Sequence, residues 1–135
     1  GLAASALGFS RTCLHEATEY ARQRKTFGRQ LIKNQVVRHK LVDMAMRINS
    51  AQGYLENLTW CMMHGQEPVP DFSMLKILAT TTMEFCANEA IQILGGAGYL
   101  RGGKVERIYR ECKVMSIGGG SIEVMKDLAA KQMKL

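Results

Sequence analysis

The sequence predicts an all-α protein, an antiparallel up-down four-helix bundle with an extra short helix. Three observations carry this expectation. The only prolines are Pro68 and Pro70, two positions apart in one linker. The stretches before and after them are rich in Ala, Leu, Met, Gln, Glu and Lys, which favour helix. No segment alternates apolar and polar residues with a period of two, so almost no sheet is expected.

Each helix follows from its own pattern. The first spans about Leu2 to Arg24, with Leu7, Cys13, Ala17 and Tyr20 on its inner stripe. In the second, after Gln35, Val37, Leu41, Met44, Ile48, Ala51, Leu55, Leu58 and Met62 alternate steps of four and three, the seam of a long bundle helix. It is expected to stop near His64-Gly65. Asp71 or Ser73 then caps a third helix, whose inner face reads Leu75, Leu78, Ala79, Met83, Cys86, Ala90 and Ile93 and which ends at Gly95-Gly96. A short helix is expected from Lys104 to Val114, with Val105, Ile108, Tyr109 and Cys112 on one side. The last starts near Ser121 and turns Met125, Leu128 and Ala129 inward. The methionines read as core filler.

Composition bounds the function. The chain of 135 residues suits one domain with a single core. No apolar run approaches the roughly 20 residues that cross a bilayer, and no signal peptide is recognisable. The chain opens on Gly1 already in helical pattern, as a piece of a longer protein would. Four scattered cysteines and three scattered histidines lack the short spacings of a zinc site, and reduced thiols are expected. The net charge is +6, and Arg22 to Lys40 holds seven Lys/Arg with no Asp or Glu. Such a run suits a solvated helix end, nucleic acid or the phosphates of a nucleotide cofactor. Only Phe27 interleaves it, which argues against a stacking single-strand binder.

Three stretches are unusual for bundle loops. In YARQRKTFG, Arg24, Thr26 and Phe27 sit at a helix end, where they can hold a phosphate and cover a flat ring; an Arg at a helix C-terminus beside a buried turn Phe explains the same residues. In IQILGGAGYL, Gln92 precedes Gly95, Gly96 and Gly98, which permit close backbone approach or simply end a helix. A dinucleotide fingerprint is rejected because the glycines follow a helix, not a strand. In IGGGSIEVM, Gly118 to Gly120 precede Ser121 and Glu123 at a helix start, which an N-cap explains and an anion would also find.

Taken in order, QRKTFG, Gln35, QILGGAGYL, RECKV and GGSIE resemble the C-terminal helical domain of acyl-CoA dehydrogenases over essentially the whole chain. The resemblance implies an N-terminal helical domain and a middle β domain outside residues 1–135. It implies noncovalent FAD, oxidation of an acyl-CoA thioester to the trans-2-enoyl form, an electron-transfer flavoprotein as partner, and a homodimer or homotetramer. The compartment implied is the mitochondrial matrix in a eukaryote or the cytoplasm in a bacterium.

By motif, Arg24, Thr26, Phe27 and Gln35 match FAD contacts, the Arg matching a phosphate position. Gln92, Gly95 and Gly96 match a turn along the adenylate side of FAD, usually that of a neighbouring subunit, and Ser121 and Glu123 match polar positions near FAD. Gly119 and Gly120 fall beside the substrate. Many members read Tyr-Glu-Gly-Thr where this chain reads Gly118 to Ser121, and that Glu is the base; Gly119 has no side chain to remove a proton. Some branches supply the base from the first helix, at a position expected just before Gly1. No catalytic residue is therefore expected within the chain. The readings that compete are a non-catalytic binding or assembly module of the same fold, an acyl-CoA oxidase, and a nucleic-acid-binding bundle.

Overall fold

A computed structural model describes residues 1–135. Helix α1 (Leu2–Gln23) is followed by a two-stranded antiparallel hairpin, β1 (Lys25–Thr26) and β2 (Arg29–Gln30), and one 3-10 turn over Leu31–Lys33. Then come α2 (Gln35–Met63), α3 (Val69–Leu94), a one-turn α4 (Gly96–Tyr99), α5 (Lys104–Ile117) and α6 (Ile122–Gln132). In the hairpin Lys25 faces Gln30 and Thr26 faces Arg29.

Helix α3 is the axis of the bundle and packs against all five other helices. Its neighbours meet a surface made mostly of small and sulfur-bearing residues, Ala79, Met83, Cys86, Ala87 and Ala90, with Ile93 near its end. On α1 the matching positions are Ala6, Leu7, Cys13, Ala17 and Ala21, and on α2 Val37, Leu41, Met44, Ile48 and Ala51. Val105, Ile108 and Cys112 of α5 close the same core. Alanines at the contact let helix axes approach closely, and the larger Leu7, Met44 and Met83 fill the space between. Cys13, Cys86 and Cys112 are free thiols inside this core; burial pushes Cys13 and Cys86 up to about 12, so both stay protonated and behave as small apolar groups.

Several expectations are corrected. Helix α3 begins at Val69, ahead of Asp71 and Ser73: Pro70 lies in its first turn, where a missing N–H costs nothing, and Ser73 is buried. Helix α5 runs on to Ile117 because Met115 and Ser116 continue its inner face. Gly96 does not end α3 with Gly95 but starts α4. Met62, Tyr109 and Leu128 lie outward, on the last turn of α2, the flank of α5 and the thinly seated α6, which buries only Ala129.

At the start of α5, Glu106 accepts from the Gly102 N–H and from Arg110 Nε, each at 3.0 Å. The Arg110 bond, and next the Gly102 N–H, hold its carboxyl below the ordinary 4.5. A lowered folded-state pKa means stability present above that value and lost as pH falls through the folded pKa. The difference in thermal midpoint between the native protein and Glu106→Gln is therefore expected to shrink as pH falls from about 6 to about 3. In the core, Ala87→Leu forces volume into a fully buried site. It is expected to cost about 1–3 kcal/mol in urea unfolding.

Candidate functional site

The predicted site residues gather at opposite ends of α1, and each end is built by the way a helix stops. Arg24 leaves α1 in extended backbone, with its N–H donating to Tyr20 O at 2.8 Å. The chain then turns through Phe27 (φ 50) and Gly28 (φ 80), two consecutive left-handed residues, as the tight hairpin between β1 and β2 requires. Gly suits that geometry; Phe does not, and its placement there is strained. The Phe27 ring is 104% exposed, so the alternative of a buried turn Phe is removed.

Arg24 is exposed and enters none of the five salt bridges of the chain. Across from it α3 ends at Gly95 (φ 59), a conformation that favours glycine. Between the two helix ends lies an open depression of about 440 Å³, lined by Arg24, Thr26, Gly95 and Gly96 together with Tyr20 and Leu31. A Cβ at Gly95 or Gly96 would meet nothing within 4 Å, so both glycines keep this edge clear. Gln35, the first residue of α2, and Gln92 on α3 are exposed and do not line the depression.

The other end is the loop between α5 and α6. Gly118 N–H donates to Val114 O at 2.7 Å and closes α5. Gly119 (φ 69) and Gly120 (φ 113) turn the chain, and Ser121 caps α6 by accepting from Val124 N–H at 3.4 Å. This cap is as the sequence predicts. Its own backbone N–H, and then the Ser121 side chain, hold the Glu123 carboxyl below its usual range. Side chains are excluded here unevenly. A Cβ at Gly120 would stand 2.7 Å from Met125 Sδ, and one at Gly118 only 3.0 Å from Val114 O. At Gly119 it would make ordinary contact with Leu2 Cδ1 at 3.4 Å, so the start of α1 and position 119 face one spot.

Sequence reasoning missed Lys76. The residue is only 8% exposed, and its ammonium donates to Ser116 O at 2.8 Å and to Gly120 O, in the glycine loop, at 2.5 Å. The signal available was its place on the inner half of the third helix, which the usual reading of lysine as exposed overrides.

The two ends stand about 33 Å apart, the length of the 22 residues of α1. No cluster of His, Cys, Asp or Glu could hold a metal ion, and no helix is long and apolar enough to cross a membrane.

Known structures carry the same architecture. A putative acyl-CoA dehydrogenase from Mycobacterium smegmatis superposes with a TM-score of 0.97 at 37% identity, over 99% of this chain and 35% of that one. The FAD complex of PigA superposes with a TM-score of 0.92 at 26% identity, over 98% of this chain and 35% of that one. The fold is that of a helical domain found in flavoprotein oxidoreductases. Residues 1–134 match the family described as acyl-CoA dehydrogenase, C-terminal domain, and the chain belongs to that family. Among curated relatives, the 3-(aryl)acrylate reductase of Clostridium sporogenes is 36% identical over 98% of the chain. The CarC subunit of the caffeyl-CoA reductase-Etf complex of Acetobacterium woodii is 35% identical over 93%. The chain spans about a third of the length of these relatives, 35% and 33% respectively.

The strain at Phe27 gives a direct test. Phe27→Asn places a residue tolerant of the left-handed region before Gly28, in the pairing that such turns favour. The variant is expected to gain about 1 kcal/mol of stability, read as a higher thermal midpoint.

Proposed function

We propose that this domain binds FAD and forms the oligomerising part of an acyl-CoA dehydrogenase, which converts an acyl-CoA thioester to its trans-2-enoyl form. The observation that carries the reading is the depression where Arg24, Thr26, Gly95 and Gly96 meet beside the strained, displayed ring of Phe27. An unpaired guanidinium suits a phosphate, an exposed ring suits a flat heterocycle, and glycine edges admit a close backbone approach. These residues fit a dinucleotide cofactor, which would supply the hydride acceptor when bound.

Arg24 and Thr26 hold the phosphate side, Phe27 covers a ring, and Gly95 and Gly96 edge the adenylate side. Ser121 and Glu123, with the first-turn N–H groups of α6, belong to a different part of the cofactor. One molecule of FAD cannot bridge an α1-length gap, so each site takes one end from one copy and the other end from a neighbour. Outward apolar residues on α5 and α6, Val114, Ile117, Val124 and Leu128, suit such an assembly. Gln35 and Gln92, which stand off the depression in one copy, reach the cofactor from the second.

Gly119 and Gly120 border the acyl group and leave room for it. The loop offers no carboxylate to remove the α-proton, and that base is assigned to the segment just ahead of Gly1, which is supported by the approach of Leu2 Cδ1 to position 119. Electrons leave to an electron-transfer flavoprotein, a partner class supported by the Etf-complex relative.

The test uses the intact protein that carries this domain. Its bound flavin is expected to bleach anaerobically with one class of acyl-CoA in a chain-length and branching screen. Arg24→Ala is expected to weaken FAD retention about 10- to 100-fold, the worth of a bond to a charged group, with helix content unchanged. Full FAD occupancy in that variant would remove Arg24 from the site, and a native protein that no acyl-CoA bleaches would favour the non-catalytic module.

A further inference from the structure

We propose that Lys76 is a positioning residue for the loop over Gly118–Ser121, its ammonium clamping the Ser116 and Gly120 carbonyls so that the loop keeps one shape. The role in the reaction rests on the function proposed above; the clamp itself rests on geometry alone.

The loop needs an external tie. Gly119 and Gly120 both sit at positive φ, and glycine is the residue that gives a chain most freedom. The loop's internal bonds are those that end α5 and begin α6, at Gly118 and Ser121. Lys76 spans the interval from outside. Ser116 O belongs to the last turn of α5, where carbonyls lack helical partners, and Gly120 O immediately precedes the cap of α6. One ammonium therefore joins the end of one helix to the start of the next, and both to the central α3.

This arrangement is costly as a device for stability alone. The ammonium lies in no salt bridge, and burial pushes its pKa down. A buried charge without a counter-charge is unfavourable unless its hydrogen bonds are made, and Lys76 makes two. A methionine would fill similar space without that cost. What it could not do is fix two carbonyls on either side of Gly119, the position that faces the start of α1. In the proposed site, that fixation sets where the acyl carbons rest relative to Ser121 and the base.

The experiment compares the native intact protein with Lys76→Met, which keeps the stem and deletes the donors, and with Lys76→Gln, which keeps one short donor group. Amide hydrogen exchange over residues 117–121 reads the clamp, and anaerobic rapid mixing with acyl-CoA reads flavin bleaching. Exchange in the loop is expected to speed up about tenfold, with peptides from the middle of α1 and α3 unchanged. The limiting bleaching rate is expected to fall about 100-fold, with the half-saturating acyl-CoA concentration moving less than about threefold. A merely structural lysine would raise exchange across α3 and α5 together and leave the limiting rate of the folded fraction intact; that result overturns the proposal. So does an unchanged loop in either variant. If Lys76→Met does not fold, Lys76→Gln is judged on the same two readouts. A native flavin that no acyl-CoA bleaches sinks the reaction and the positioning role with it, while loop exchange still decides the clamp.

Discussion

The constraint on which the structure depends is the central place of α3, which packs against every other helix. A helix with so many neighbours must be apolar or small over most of its surface, and α3 keeps only a narrow polar edge, where Asn88 and Gln92 stay exposed. Its contact surface is made small by alanine and cysteine so that α1 and α2 approach, and the three core thiols are held protonated in that space. The other helices need only one apolar stripe each. Their outward faces are left free for charge.

With most of α3 buried, the candidate site residues fall near helix ends. There the backbone must stop being helical, carbonyl and N–H groups lose their partners, and glycine takes over where left-handed geometry is required. At one end Gly95 opens the depression beside Arg24 and Phe27; at the other, Lys76 reaches from α3 to the carbonyls around the glycine loop. The strain at Phe27 and the desolvated ammonium at Lys76 belong to the same design. Each is a local cost that a freely folding bundle has no reason to carry, and each lies where a site is proposed.

The helices were legible because their signals are local and repeated. A four-three alternation over Val37 to Leu58 leaves only one face that can be buried, and each of those residues is buried or half-buried. Ser121 was legible as a cap because a serine before an apolar-periodic segment has a specific bond to make. The hairpin at Lys25 to Gln30 was not: two residues per strand are too few to show a period of two. The start of α3 was misplaced because capping side chains outweighed Pro70 in the first turn, although either can begin a helix. The candidate site was legible only in part. In the folded chain Arg24, Thr26, Gly95 and Gly96 line one depression, but nothing in a one-dimensional reading shows that Ser121 lies a helix length away. The exposure of Phe27 and the burial of Lys76 both invert the usual behaviour of their residue types, and only a folded chain reveals such inversions.

The length of α1 acts as a ruler. It fixes the distance between the depression beside Arg24 and the glycine loop, and in the shared site proposed above that distance must match the spacing set by a second copy. A single residue inserted into α1 would rotate one end by about 100° and advance it by about 1.5 Å relative to the other, breaking both register and reach. The exposed turn at His64–Glu67 has no such duty, since no candidate site residue lies near it in sequence. A residue added at that turn leaves the length of α1 untouched, whereas one added within α1 changes the gauge.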